Sequence, residues 1–476
     1  MSPLDAFFLD LERSNQQLHV GSALLFAGPS PTYNELCATI AARLDRAPRY
    51  RQRFRRIPLD LGRPVWIDAV HFRIEHHVLH ATLPAPGTDT QLRELAGHIM
   101  SQPLDLDRPL WEMWLVDGLS DGRWALLNKS HHALMDGVSG TGLMGVVLDR
   151  HQRTKEPLAS SWQAAPAPSN ARLVSSALRD TVGVLVEQTT ALARALASPT
   201  RLLRDVAVDV GGLAALGGRV VRLETVLDGP IGPHRSWEWA RSDLRDVKTI
   251  KNTFGGTVND VLLAVISGAF RTFLLARGQD LDGRTIRTMV PVSMRRPGQP
   301  PTLGNQVSAV FADLPVGIAD PVRRLRAVSD QLSGLKSHGM AMGVDTILDA
   351  TELLPPTLFA LGARITARLP QRSFSTVTTN VPGPQVPLFL LGRRMLEMVP
   401  YIPLALGLRI TIGIVSYDGH VAYGVTGDAD MVPDLGVLSD GIDAATRELV
   451  CAARAGAGRS PSRPADLPAR SHPAAG

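Results

Sequence analysis

The run Trp124-Ala125-Leu126-Leu127 reads as a buried strand, and it leads to two adjacent histidines, His131 and His132, followed by Asp136 and Gly137. The preceding run Trp111-Glu112-Met113-Trp114-Leu115-Val116 is separated from Arg123–Lys129 only by Asp117-Gly118-Leu119-Ser120-Asp121-Gly122. The two runs are therefore expected to be neighbouring strands joined by a tight turn. The chain must then build a sheet that presents imidazoles at a strand end, where the wall of a cleft can form. Successive residues of a strand face opposite sides, so His131 and His132 cannot both address one substrate. One is expected to act as a base near neutral pH and the other to serve the structure. Asp136, Gly137 and the following Val138–Leu148 read as a helix start, with Asp136 accepting bonds from the first free amides, a shaping role and not a chemical one. From these residues alone two other readings stay open. One is a buried histidine pair satisfied by backbone groups; the other is a metal site, since His132 and Asp136 are four apart.

Elsewhere strand-like and helix-like runs alternate, which predicts an α/β fold of α+β character built on mixed sheets. Arg287–Val292 and Ile410–Val415 are strand-like. Residues 151–170, with Pro157, Pro166 and Pro168, read as a surface linker. Residues 171–224 carry apolar positions at helical spacing, including Leu173, Ala177, Val182, Leu185 and Leu192. A helical crossover packed on the rest of the chain is the expected reading, and an amphipathic surface resting on lipid is the alternative. The boundaries expected are 1–150 for an N-terminal domain, 151–235 for linker and crossover, 236–453 for a C-terminal domain and 454–476 for a disordered tail.

Two motif matches fail on context. Gly118-Leu119-Ser120-Asp121-Gly122 has the spacing of a nucleophile elbow, but a strand and not a helix follows it. Gly140-Thr141-Gly142-Leu143-Met144-Gly145 has the dinucleotide spacing but does not directly follow a strand. No phosphate loop or His-Glu-x-x-His zinc motif is present, so no metal is expected.

The pattern His-His-x-x-x-Asp-Gly after a strand is the signature of the coenzyme A-dependent acyltransferase superfamily. Within it the chain resembles the bacterial wax ester synthase/diacylglycerol acyltransferase family. The resemblance rests on Met1–Phe8, Leu18–Gly21, Arg108–Glu112, Gly229–Arg235, Thr257–Asp260, Val290–Arg295, Gly304–Ser308 and Thr379–Pro384, in that order. Asp228 stands where the family has Asn. The Asp-Phe-Gly-Trp-Gly loop of chloramphenicol acetyltransferase and condensation domains is missing, which favours the lipid-acylating branch.

The resemblance implies two chloramphenicol-acetyltransferase-like domains with a channel between them. It implies His132 as the catalytic base, with His131, Asp136 and Gly137 as motif support and Asn259 and Asn380 as polar residues near the channel. The substrates it implies are acyl-CoA and either diacylglycerol or a long-chain alcohol, with no cofactor beyond the acyl-CoA substrate. His132 would take the acceptor's hydroxyl proton during attack on the thioester, then return it to the departing thiolate, in a ternary complex. Two readings of other kinds compete: a noncatalytic protein that coats lipid surfaces, and a condensation-type enzyme acting on carrier-protein thioesters.

With 50 Lys and Arg against 45 Asp and Glu, the net charge of +5 does not point to nucleic acid. Cys37 and Cys451 are the only cysteines, which suits a reducing cytoplasm. The N-terminal residues do not have the form of a signal peptide. No uninterrupted apolar stretch reaches the span length of about 20 residues, so any contact with a membrane or lipid droplet is expected to be peripheral. The arginine-rich segment 43–56 is expected to be a solvated basic face, with lipid or coenzyme A phosphates as the alternative partners.

Overall fold

A computed structural model describes residues 1–12, 15–134, 142–152, 162–179, 226–293, 307–337, 342–343 and 374–457. In chain order the first half comprises helix α1 (Pro3–Leu11), β1 (His19–Phe26), α2 (Tyr33–Arg43), β2 (Gln52–Arg55), β3 (Val65–Asp68), β4 (Val78–Thr82), α3 (Asp89–Ser101), β5 (Trp111–Asp117), β6 (Trp124–His131) and α4 (Gly142–Val147). Helix α5 covers residues 170–179. Then follow β7 (Arg235–Asp243), α6 (Leu244–Phe254), α7 (Val258–Ala276), β8 (Ile286–Ser293), β9 (Val307–Leu314), α8 (Pro321–Ser337) and β10 (Met342–Gly343). The last elements are β11 (Thr376–Pro382), β12 (Phe389–Leu390), β13 (Arg393–Tyr401), β14 (Ile410–Tyr417), β15 (His420–Asp428) and α9 (Gly436–Ala457).

Two large mixed sheets organise these elements, as expected. The first has the order β12-β13-β1-β6-β5-β4 and the second β10-β9-β8-β11-β14-β15-β7; β2 and β3 form a separate ribbon. Strand β6 lies inside the first sheet, antiparallel to both β1 and β5. All its residues but Asn128 are buried, which accounts for its nearly continuous apolar run. The Gly118–Gly122 segment is the hairpin turn between β5 and β6. Gly118 has φ 78°, and a Cβ there would meet the Leu83 carbonyl oxygen at 2.6 Å.

Sheet membership departs from the division expected along the chain. Strands β12 and β13, from within the 236–453 segment, pair with the first sheet, β13 running antiparallel to β1. The pairing covers what would otherwise be an open edge of β1 with unpaired backbone groups. β13 also joins the two sheets, because the Pro400 carbonyl accepts a 3.2 Å hydrogen bond from the Trp237 indole of β7. One core cluster unites Ala23, Leu25, Leu127 and Val399 of the first sheet with Trp237, Trp239, Val415 and Ala422 of the second.

Other expectations also change. Helix α7 has the length and apolar composition of a membrane span, although Asn259, Asp260 and Arg271 interrupt its apolar run. Its apolarity is explained by burial, since Val261–Phe270, Phe273 and Leu274 are enclosed in the core of the second half with α6, α8 and α9. The tail boundary at 454 falls inside α9, which runs to Ala457 because Leu449, Val450 and Ala453 still pack into that core. Of the 171–224 segment, residues 180–224 lie outside the described residues, while α5 packs Leu173 and Ala177 on Ile57.

The arginine-rich segment is not a bare solvated face. Arg43 and Arg51 are buried. Arg43 donates to the Val147 carbonyl and pairs with Asp149 at 2.7 Å, and Arg46 donates to the Val146 carbonyl at 2.7 Å. These cations satisfy the free carbonyls at the C-terminal end of α4, the short helix that follows the histidine motif. Arg51 pairs with Asp45, Arg55 holds Pro168 and Asn170, and Arg56 pairs with Asp10. A guanidinium offers five fixed donors, so sequence clustering here reflects crosslinking of loops.

Candidate active site

Strand β6 ends at His131, and a single 3-10 turn, His132–Leu134, begins at once. The change from strand to turn separates the two imidazoles by environment. Backbone bonds anchor both residues: His131 N–H donates to the Leu110 carbonyl at 2.9 Å and His132 N–H to the Leu18 carbonyl at 2.8 Å. The supporting residues thus come from the segments leading into β5 and β1.

His131 is fully buried. Its Nδ1 accepts a 3.0 Å hydrogen bond from the Ala133 amide, so the proton of the neutral ring resides on Nε2. That Nε2 lies 3.2 Å from Glu12 Oε2. The other Glu12 oxygen is 3.5 Å from Nε2 of His19, the residue paired with His131 in the β1–β6 register. Burial pushes the Glu12 carboxyl upward, but its interactions with His131 and His19 outweigh this and hold it at about 2. Burial lowers His19 to about 4, against the opposing pull of Glu12. One carboxylate therefore braces two imidazoles.

His132 faces different surroundings. The ring of Phe8, from α1, lies with its centroid 3.9 Å from the imidazole centroid at a tilt of 33°. His132 Nδ1 is buried and makes no hydrogen bond. Burial, and secondarily the neighbouring His131, lower the His132 pKa to about 4. The ring is thus neutral at pH 7, the state required of a proton acceptor.

Lys129, two residues before His131, is fully buried. Its ammonium donates to the carbonyls of Gln102 at 2.6 Å and Ile99 at 3.1 Å, at the end of α3, which favours a cation there. Arg235 of β7 donates to the Asn15 carbonyl at 2.5 Å and to Gln17 Oε1 at 3.1 Å. It ties the second half of the chain to the segment between Glu12 and His19.

Asp136 and Gly137 lie outside the described residues. Asn259 and Asn380 meet each other, the Asn380 amide donating to Asn259 Oδ1 at 3.2 Å. The adjacent Asp260 forms a capping box with Thr257 at the start of α7 and accepts from Ser329 at 3.1 Å. Its part in the Thr257–Asp260 block is thereby structural. Among the described residues no group of three or more His, Cys, Asp and Glu could hold a metal ion.

Glu12, His19, Phe8 and Lys129 were not singled out as site residues from the sequence. His19 lies in one of the family-like blocks, but nothing local indicates that it shares a carboxylate with His131. The antiparallel register of β1 and β6 creates that contact.

Comparisons with known proteins agree with this architecture. The family model for the wax ester synthase/diacylglycerol acyltransferase catalytic domain matches residues 1–262, and that for the WS/DGAT C-terminal domain matches residues 303–450. The Mycobacterium tuberculosis protein tgs1, named as a diacylglycerol O-acyltransferase, is 34% identical over 452 residues, which cover 94% of this chain and 95% of that protein. A second Mycobacterium tuberculosis protein named for the same activity is 34% identical over 472 residues, covering 94% of this chain and 90% of its own. Among solved structures, the wax ester synthase/diacylglycerol acyltransferase from Marinobacter aquaeolei VT8 superposes with a TM-score of 0.66 at 24% identity, covering 95% of this chain and 99% of the other. The first condensation domain of the calcium-dependent antibiotic synthetase gives a TM-score of 0.56 at 18% identity, covering 94% of each chain. These two likenesses bear on the fold.

Proposed function

The chain belongs to the wax ester synthase/diacylglycerol acyltransferase family and is an acyl-CoA acyltransferase; from that premise we propose that it transfers a long-chain acyl group to diacylglycerol, with His132 as general base. The observation that carries the proposal is the place of His132: it follows directly on β6 against the Phe8 ring, where burial lowers its pKa to about 4 and leaves it neutral at pH 7. In the proposed step Nε2 takes the proton of the acceptor hydroxyl while that oxygen attacks the thioester carbonyl. The tetrahedral intermediate then expels the coenzyme A thiolate, which receives the proton from the imidazolium. Such proton transfer contributes on the order of 10²–10⁴ in rate. Acyl-CoA is a substrate in this scheme and no other cofactor takes part.

His131 then serves as a brace, held by Glu12 on one side and the Ala133 amide on the other. Diacylglycerol is preferred as acceptor because the 34% identical relatives are named for it. Long-chain alcohol is the second reading, favoured by the wax ester synthase name of the Marinobacter protein. Either acceptor requires contact with a lipid phase, so the proposal includes peripheral attachment at the cytoplasmic face of a membrane or on a lipid droplet.

The test is coenzyme A release from palmitoyl-CoA with dioleoylglycerol or hexadecanol, for the wild type and His132→Ala, with identification of the lipid product. Release that depends on dioleoylglycerol and collapses in the variant is the expected result. Release with hexadecanol alone would favour wax ester synthesis. Undiminished turnover by folded His132→Ala would overturn the base assignment.

A further inference from the structure

We propose that Phe8 is a positioning residue that holds the His132 ring and keeps water off it, so that the acyl group passes to the acceptor hydroxyl and not to water. The inference rests on the reading of His132 as the base, and its own support is geometric. Aromatic rings in proteins usually pack with centroids about 4.5–7 Å apart. The 3.9 Å between Phe8 and His132 is closer, and it leaves no space for a water, whose own radius is about 1.4 Å.

Helix α1 is built to hold that ring in place. Ser2 caps its start by accepting from the Asp5 amide at 3.1 Å, with proline in the first turn. Leu9 is buried with Leu110 and with Ala133 of the histidine motif itself. Leu11 is buried against Leu18, with Phe8, Ala405 and Leu406 packed around the pair. Phe8 thus borders both apolar clusters and closes one side of the imidazole with contributions from both halves of the chain.

The functional need follows from the chemistry. A base that activates an alcohol also activates water. In that side reaction Nε2 would take a water proton, the water oxygen would form a bond to the thioester carbon, and the C–S bond would break. The thiolate would then take the proton from the imidazolium, giving free fatty acid and coenzyme A. A transferase must suppress this route by excluding water from the base.

The experiment measures fatty acid and acylated product separately, from palmitoyl-CoA with and without dioleoylglycerol and hexadecanol, using the full chain. It compares wild type, Phe8→Ala, Phe8→Leu, Phe8→Trp, Leu9→Ala and His132→Ala, with folding checked by circular dichroism. Phe8→Ala is expected to raise the hydrolysis-to-transfer ratio by about tenfold or more, and Phe8→Trp to restore it toward wild type. Leu9→Ala loosens α1 without removing the ring and is expected to raise the ratio by a smaller factor than Phe8→Ala. Should Phe8→Ala fail to fold, Phe8→Leu preserves apolar volume without the ring and is expected to raise the ratio by a smaller factor. An unchanged ratio in folded Phe8→Ala or Phe8→Leu, or the same rise in Leu9→Ala, would overturn the proposal. Loss of both products in His132→Ala is expected; their persistence would instead sink the base assignment on which the proposal stands.

Discussion

Glu12 Oε2 lies 3.2 Å from His131 Nε2, and the donor–acceptor pattern of His131 fixes the proton on that nitrogen. The Glu12 side chain is 12% exposed, and its other oxygen faces His19. Glu12 is thus the brace for the strand end on which the candidate base stands.

Replacing it with glutamine should keep the shape but remove the charge. We expect Glu12→Gln to lower kcat/KM by about 10–100-fold, the size of effect seen when an outer brace of a functional histidine is lost. Glu12→Ala should cost stability as well, because it removes the carboxylate 3.2 Å from the buried His131 Nε2. Steady-state kinetics with denaturant titrations of both variants check this; wild-type kcat/KM in folded Glu12→Gln would refute the brace.

Acid should destabilise the fold in two windows. Burial lowers His19, His77 and His132 to about 4 each from an ordinary 6.5. Between these values the unfolded chain binds protons that the folded chain refuses. Their neutral burial is therefore tolerated fully above pH 6.5, and stability falls as pH drops toward 4. Glu12, held at about 2 against an ordinary 4.5, adds stability above pH 4.5 that is lost as pH falls through 2. Urea midpoints from pH 7.5 to 4.5 should decline. If His132 is the base, the acid limb of kcat/KM should lie well below 6.5; a limb at 6.5 would contradict its burial.

The seam between the sheets should tolerate no side chain at Gly424. A Cβ there would sit 1.7 Å from the Pro400 carbonyl oxygen, which is backbone and cannot swing away. Gly424→Ala is expected to cost about 3 kcal/mol or more, the upper range for overpacking, through separation of β13 from β15. A denaturation midpoint equal to the wild type would show that the seam can shift.

Arg43→Ala should act on catalysis from behind the motif. It removes the bonds to the Val147 carbonyl and Asp149 that hold the end of α4. Losing a buried charged partner leaves these acceptors short by about 1–3 kcal/mol. We expect reduced stability together with lower kcat and a smaller change in KM. An unchanged kcat in the folded variant would confine Arg43 to a purely structural role.

Part of this arrangement was legible residue by residue. The strands at 111–117 and 124–131, the turn between them and the histidines at the second strand's end follow from a short apolar period and turn-forming glycines. Composition does not separate α7 from a membrane span, because an apolar helix packed largely inside a core resembles one inside a bilayer. The arginines of 43–56 look like one solvated face in the sequence because their partners, Val146, Val147, Asp149, Pro168 and Asn170, lie far along the chain.

The sequence by itself determined the local elements and the family, since these rest on periodicity, turn chemistry and ordered short blocks. It also marks the histidine pair at the end of β6. Only the tertiary structure decided that Glu12 would brace His131 and His19, that Phe8 would cover His132 and that β13 would cross into the first sheet. Those contacts depend on strand register and helix packing between segments with no shared period, so no local pattern records them.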